Sequence, residues 1–126
     1  MVRKSDLDRD LAILDFVGPP PRTATFVQSL EAPQIEDQVV LLGYPNVGPG
    51  GTGIVYRGAV IGNFVRFGQP RIQISCEIAA GNSGGPVLDR RYRVIGIAAN
   101  GNQRLGIRGA ELYGVVPISQ LSAITD

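Results

Sequence analysis

Short runs of apolar, largely β-branched residues recur along the chain, each closed within a few positions by glycine or proline. The runs at 11–17, 38–44, 53–61, 71–78, 85–89, 93–99 and 110–118 read as strands. Between two of them, the polar stretch Asp89-Arg90-Arg91-Tyr92 predicts a hairpin connection. Helical spacing is confined to the end of the chain, where Ile118, Leu121 and Ile124 fall three apart and predict a short terminal helix over 118–125. Short strands at regular spacing with turn signals imply an all-β fold, an antiparallel barrel or sandwich.

The first strand stands apart. Gly18-Pro19-Pro20-Pro21 follows it and must be extended, because proline fixes φ and restricts its neighbour. A spacer is favoured here over a polyproline ligand for an aromatic groove. One strand on the far side of a spacer has edges that want partners.

Composition narrows the function classes. With 126 residues the chain fits one compact core, and 44% hydrophobic against 18% charged residues marks it as globular. A net charge of +1 gives no field that would recruit nucleic acid or an anionic membrane. The apolar runs are too short to span a bilayer, and no stretch has the form of a secretory signal. Cys76 is the only cysteine and there is no histidine, so neither an internal disulfide nor an ordinary zinc site is available. Cys76 reads as a small core residue, and Arg90, Arg91 and Arg93 as a solvated turn.

Chemistry enters at Gly81-Asn82-Ser83-Gly84-Gly85-Pro86. With this composition, a G-x-S-G-G-P string arises by chance in about one such sequence in a thousand. A structural glycine turn is the bland alternative. The functional reading accounts for each residue type: a nucleophilic serine needs a tight turn that projects its hydroxyl, and glycine permits the angles. The N–H groups of Gly81 and Ser83 would then hold the negative oxygen of a tetrahedral intermediate.

This string resembles the nucleophile motif of the trypsin-like serine peptidases, and GNSGGP in particular is similar to the HtrA/DegP branch. Arg9-Asp10-Leu11-Ala12-Ile13-Leu14 resembles the segment whose aspartate, here Asp10, orients the catalytic histidine. Gly43-Tyr44-Pro45, Val94-Ile95-Gly96-Ile97 and Tyr113-Gly114-Val115-Val116-Pro117 resemble later strands in the same order. The resemblance implies the second six-stranded antiparallel Greek-key barrel of a chymotrypsin-like double barrel. The last strand of the first barrel precedes it and a short C-terminal helix follows. Residues 1–17 would be the remnant of the first barrel, 18–35 the interdomain linker, and 36–126 the C-terminal barrel. Backbone at Ala98, Ala99, Asn100 and Gly101 would pair with substrate. Glu77 and Glu111 would lie at the specificity pocket, where a carboxylate selects Arg or Lys, although small apolar pockets are the commoner form in this branch.

The departure from the family is the missing histidine. In the family it takes the serine's proton and returns it to the leaving amine, and it lies upstream of the aspartate. Lys4, the only lysine, is no convincing substitute. The expectation is a serine endopeptidase domain present as a fragment and inactive alone, since loss of the base costs about a millionfold in turnover. A fragment or misassigned start is favoured over an evolved pseudopeptidase that binds peptides by strand addition. Expected partners are peptide or protein substrates, with no nucleic acid, membrane, metal or cofactor, and with self-association through the exposed N-terminal strand. An extracytoplasmic location follows only from the family resemblance.

Overall fold

The computed structural model describes residues 2–19, 26–44, 51–78, 81–105 and 110–125, without the side chains of Arg3 and of residues 100–112. Eight strands are present: β1 (Val2–Asp6), β2 (Leu11–Leu14), β3 (Gln38–Gly43), β4 (Ile54–Arg66), β5 (Gln69–Ile74), β6 (Pro86–Leu88), β7 (Val94–Leu105) and β8 (Ala110–Pro117). The last six close into an antiparallel barrel in the order β3-β4-β5-β8-β7-β6. Closure is made where β3 pairs with β6, Val40 facing Leu88 and Leu41 facing Val87. The fold is therefore all-β, as the strand pattern implies.

Inward positions fill the barrel with β-branched and aliphatic side chains. Val39, Leu41, Val60, Ile72, Ile74, Val87, Ile95 and Val115 form the core, with Cys76 and Ile78 beside them. Burial raises the Cys76 thiol above its usual pKa, and the residue is a core filler rather than a nucleophile. A second cluster, Val40, Leu88 and Val94, is covered by Ile118. Ile118 opens the C-terminal helix, which is a 3-10 helix over Ile118–Ala123. The apolar spacing of three in this segment matches the three residues per turn of that helix.

One expectation is corrected at the N-terminus. The first strand is not alone: β1 pairs antiparallel with β2, Asp6 facing Leu11 and Ser5 facing Ala12. The sequence Val2-Arg3-Lys4-Ser5-Asp6 hides this strand because it has no apolar alternation. After the prolines, Ser29 donates to the Val94 carbonyl and Val94 to the Val27 carbonyl, both at 2.8 Å. Pro20 and Pro21, with residues 22–25 after them, lie outside the described residues. Among the described residues no helix is long and apolar enough to cross a membrane.

Candidate active site

Ser83 lies on the turn that enters β6. Gly81 and Gly84 flank it with φ of +93° and +89°, left-handed values that favour glycine over any residue with a Cβ. The turn is pinned on both sides. Gly84 donates to the Ala98 carbonyl at 2.7 Å, and Ala98 donates back to Gly85 at 2.9 Å. On the other side, Tyr44 donates to the Gly81 carbonyl at 3.3 Å. Ser83 is exposed, and its hydroxyl donates to the Ala99 carbonyl at 2.7 Å. Among the described residues, the N–H groups of Gly81 and Ser83 donate to no acceptor. The turn thus presents a hydroxyl and leaves two amides open, the provision an oxyanion site requires.

Asn82, between these groups, is a residue that sequence reasoning does not single out. Its side chain is 0% exposed, and both of its polar atoms lack a partner among the described residues. It packs against Gly43, where any Cβ would collide with its Oδ1. An unsatisfied buried amide costs about 1–3 kcal/mol, so the nucleophile turn carries a local penalty. A G-x-S signal read for its serine gives no hint of this.

Asp10 is exposed in the turn between β1 and β2, with φ of +60°. That turn rests on β5. Arg71 Nη2 donates to the carbonyls of Asp8 and Arg9, each at 3.2 Å. The Asp10 carboxylate interacts favourably with the same guanidinium, whose pKa is lowered chiefly by burial. Arg9 in turn donates from Nε to Gln120 at 3.2 Å and from Nη1 to Asp6 at 2.7 Å. The structure seats the aspartate turn on β5 and the serine turn on β7, with β8 between those strands. No hydrogen bond joins Asp10 to Ser83 among the described residues.

Of the other predicted site residues, Ala99 is buried and accepts from Ser83. Asn100 and Gly101 continue β7, and Glu111 lies in β8 facing Arg104, but the side chains of Asn100 and Glu111 lie outside the described residues. Glu77 is exposed, between buried Cys76 and Ile78. Two surface clefts of about 420 and 410 Å³ lie by the β6–β7 hairpin, lined by residues such as Gln38, Arg90 and Tyr92 or Asp37, Asp89 and Arg93. None of the serine-turn residues lines either cleft.

A barrel built this way, with a glycine-flanked serine at its seam, defines a trypsin-like peptidase domain, and the chain belongs to that family. The family's model matches residues 1–97. Among solved structures, the MamO protease domain from Magnetospirillum magneticum is similar at a TM-score of 0.73 and 20% identity, covering 100% of this chain and 67% of that one. The inactive form of Rv3671c from M. tuberculosis, a serine-to-alanine mutant, gives 0.70 and 21% over 98% of this chain. This chain spans 61% of that structure's chain. Deg5 gives 0.68 and 22%, covering 97% of this chain and 56% of that one. No curated sequence matches the chain. The trypsin-like likeness expected from GNSGGP is thus met in fold and family.

Proposed function

We propose that this chain is the serine-bearing part of a trypsin-like endopeptidase and that its base is a histidine supplied from beyond these 126 residues. Ser83 is the nucleophile that forms the acyl-enzyme, the N–H groups of Gly81 and Ser83 stabilise the oxyanion, and Asp10 orients the absent base. The observation that carries this reading is the serine turn, where two left-handed glycines hold an exposed hydroxyl beside two amides that have no acceptor among the described residues. The hydroxyl now rests on a neutral carbonyl, which cannot remove its proton. Residues 36–126 serve as the nucleophile barrel in this reading, 18–35 as the linker and 1–17 as the part shared with the first barrel. Glu77 and Glu111 bias the pocket toward basic residues.

A fluorophosphonate probe tests the assignment. The chain alone should label at background. The chain joined to the segment encoded upstream of it should label Ser83 by four to six orders of magnitude more, or about 10⁴ to 10⁶-fold. Ser83→Ala should abolish that signal. Strong labelling of the chain alone, or none in the joined protein, would sink the reading. In the joined protein, faster cleavage after Val than after Arg would remove the role given to Glu77 and Glu111. The absence of histidine supports one rival, a pseudopeptidase that captures extended peptides along residues 98–101. Peptide binding by a joined protein that never labels would favour it.

A further inference from the structure

β5 alternates faces, and Ile72 and Ile74 point into the core. Arg71 therefore points outward, where a charged side chain ordinarily meets water. It is instead only 2% exposed, because the β1–β2 turn covers it. A guanidinium is seldom buried without a purpose, since it must lose hydration that the protein then has to replace.

We propose that Arg71 is a positioning residue, clamping the turn that carries Asp10 onto the serine-bearing barrel. This inference rests on the reading of Asp10 as the orienting acid. The clamp makes three hydrogen bonds from two nitrogens. Nη1 holds the Pro70 carbonyl at 3.0 Å, which stiffens the guanidinium against its own strand. Nη2 spans the successive carbonyls of Asp8 and Arg9. Those two residues immediately precede Asp10, so the bonds fix the backbone from which its carboxylate departs. Nε finds no acceptor among the described residues. The planar fork suits this task, because it offers fixed donors in one plane where an ammonium offers a single point. Arg9 adds a second tether to the same turn, through Gln120 on the C-terminal helix.

The consequence is geometric. Asp10 belongs by sequence to the N-terminal hairpin, yet Arg71 makes its turn part of the surface of the barrel that carries Ser83. Acid and nucleophile then keep their separation whatever the rest of the hairpin does.

Hydrogen exchange on the chain as it stands tests the clamp without any peptidase activity. In Arg71→Met, the amides that bond across the β1–β2 ladder should exchange about a hundredfold faster. Barrel amides such as Val87 and Val115 should keep their rates. Arg71→Lys should rescue part of the effect, leaving about a tenfold increase, because a single-centred ammonium cannot reproduce the fixed spacing at which the fork meets the three carbonyls. If the Met variant fails to fold, the Lys variant decides by the same readout. Unchanged hairpin exchange in the variants that fold would overturn the proposal. So would a rise shared equally by hairpin and barrel, which would make Arg71 a general stabiliser. Neither result would touch the assignment of Ser83, which the probe experiment decides separately.

Discussion

Phe67 sits at φ of +49°, followed by Gly68 at +74°, where β4 turns into β5 between Arg66 and Gln69. This is the two-residue hairpin geometry that strongly prefers Asn-Gly, and a bulky aromatic at its first position is strained. Arg66 lies 5.0 Å from the Phe67 ring centroid and returns about 0.5 kcal/mol. Relief of the left-handed strain is about 1 kcal/mol. Phe67→Asn should therefore stabilise the barrel by about 0.5 kcal/mol and raise Tm by about 2 °C. A fall in Tm on thermal unfolding would show that the aromatic contact outweighs the strain.

Residue chemistry also decides what the chain discloses in advance. The turn at Ser83 is legible because its requirements are local: two glycines take positive φ on either side of the serine, and they are written near it. Arg71 is not legible. In a strand of alternating faces it reads as an ordinary outward charge, and only the docked hairpin reveals that it is covered. The partner strand is equally hidden, because Val2-Arg3-Lys4-Ser5-Asp6 pairs through its backbone and carries no apolar signature. Gly62 misleads in the opposite direction. It looks like the end of a strand at residue 61, yet β4 continues through it to Arg66. The Gln73 side chain lies over the space its Cβ would occupy, and the ladder shifts register between Val60 and Gly62.

At the scale of elements, the β1–β2 turn is held by charge-assisted bonds as well as by its ladder. Asp6 accepts from the Arg9 backbone N–H at 3.0 Å and from its guanidinium at 2.7 Å. The backbone bond first, and then the side-chain bond, hold the Asp6 carboxyl below the usual aspartate range. A carboxyl lowered in the folded state contributes stability that is complete above its unfolded pKa and is lost as pH falls through the folded value. The Arg9 amide resonance should thus titrate with a midpoint below the free aspartate value of about 3.9. A midpoint at or above that value would mean the bonds are not kept in solution. The Asp89 loop uses the same device. Burial raises the Asp89 carboxyl, but the N–H groups of Arg93 and Arg91 prevail and lower it, with the Arg93 guanidinium adding to them at 3.1 Å.

For the whole molecule, barrel closure assigns nearly every strand two neighbours, whereas the N-terminal hairpin is a two-stranded sheet. Near it lie exposed Val2, Leu14, Phe16 and Val17, the last two 64% and 86% exposed. We propose self-association through this hairpin, since unpaired ladders and apolar side chains favour strand addition. Sedimentation of the chain should show dimers or larger species that vanish when residues 1–17 are removed. A clean monomer at high concentration would refute it.

Arg71 gives that hairpin a double character. By holding its turn against the barrel, the guanidinium joins a two-stranded sheet with exposed apolar side chains to a closed one. Excising the two-stranded sheet for better behaviour in solution would carry away Asp10 too, and would expose to water an arginine that had lost two of its three acceptors.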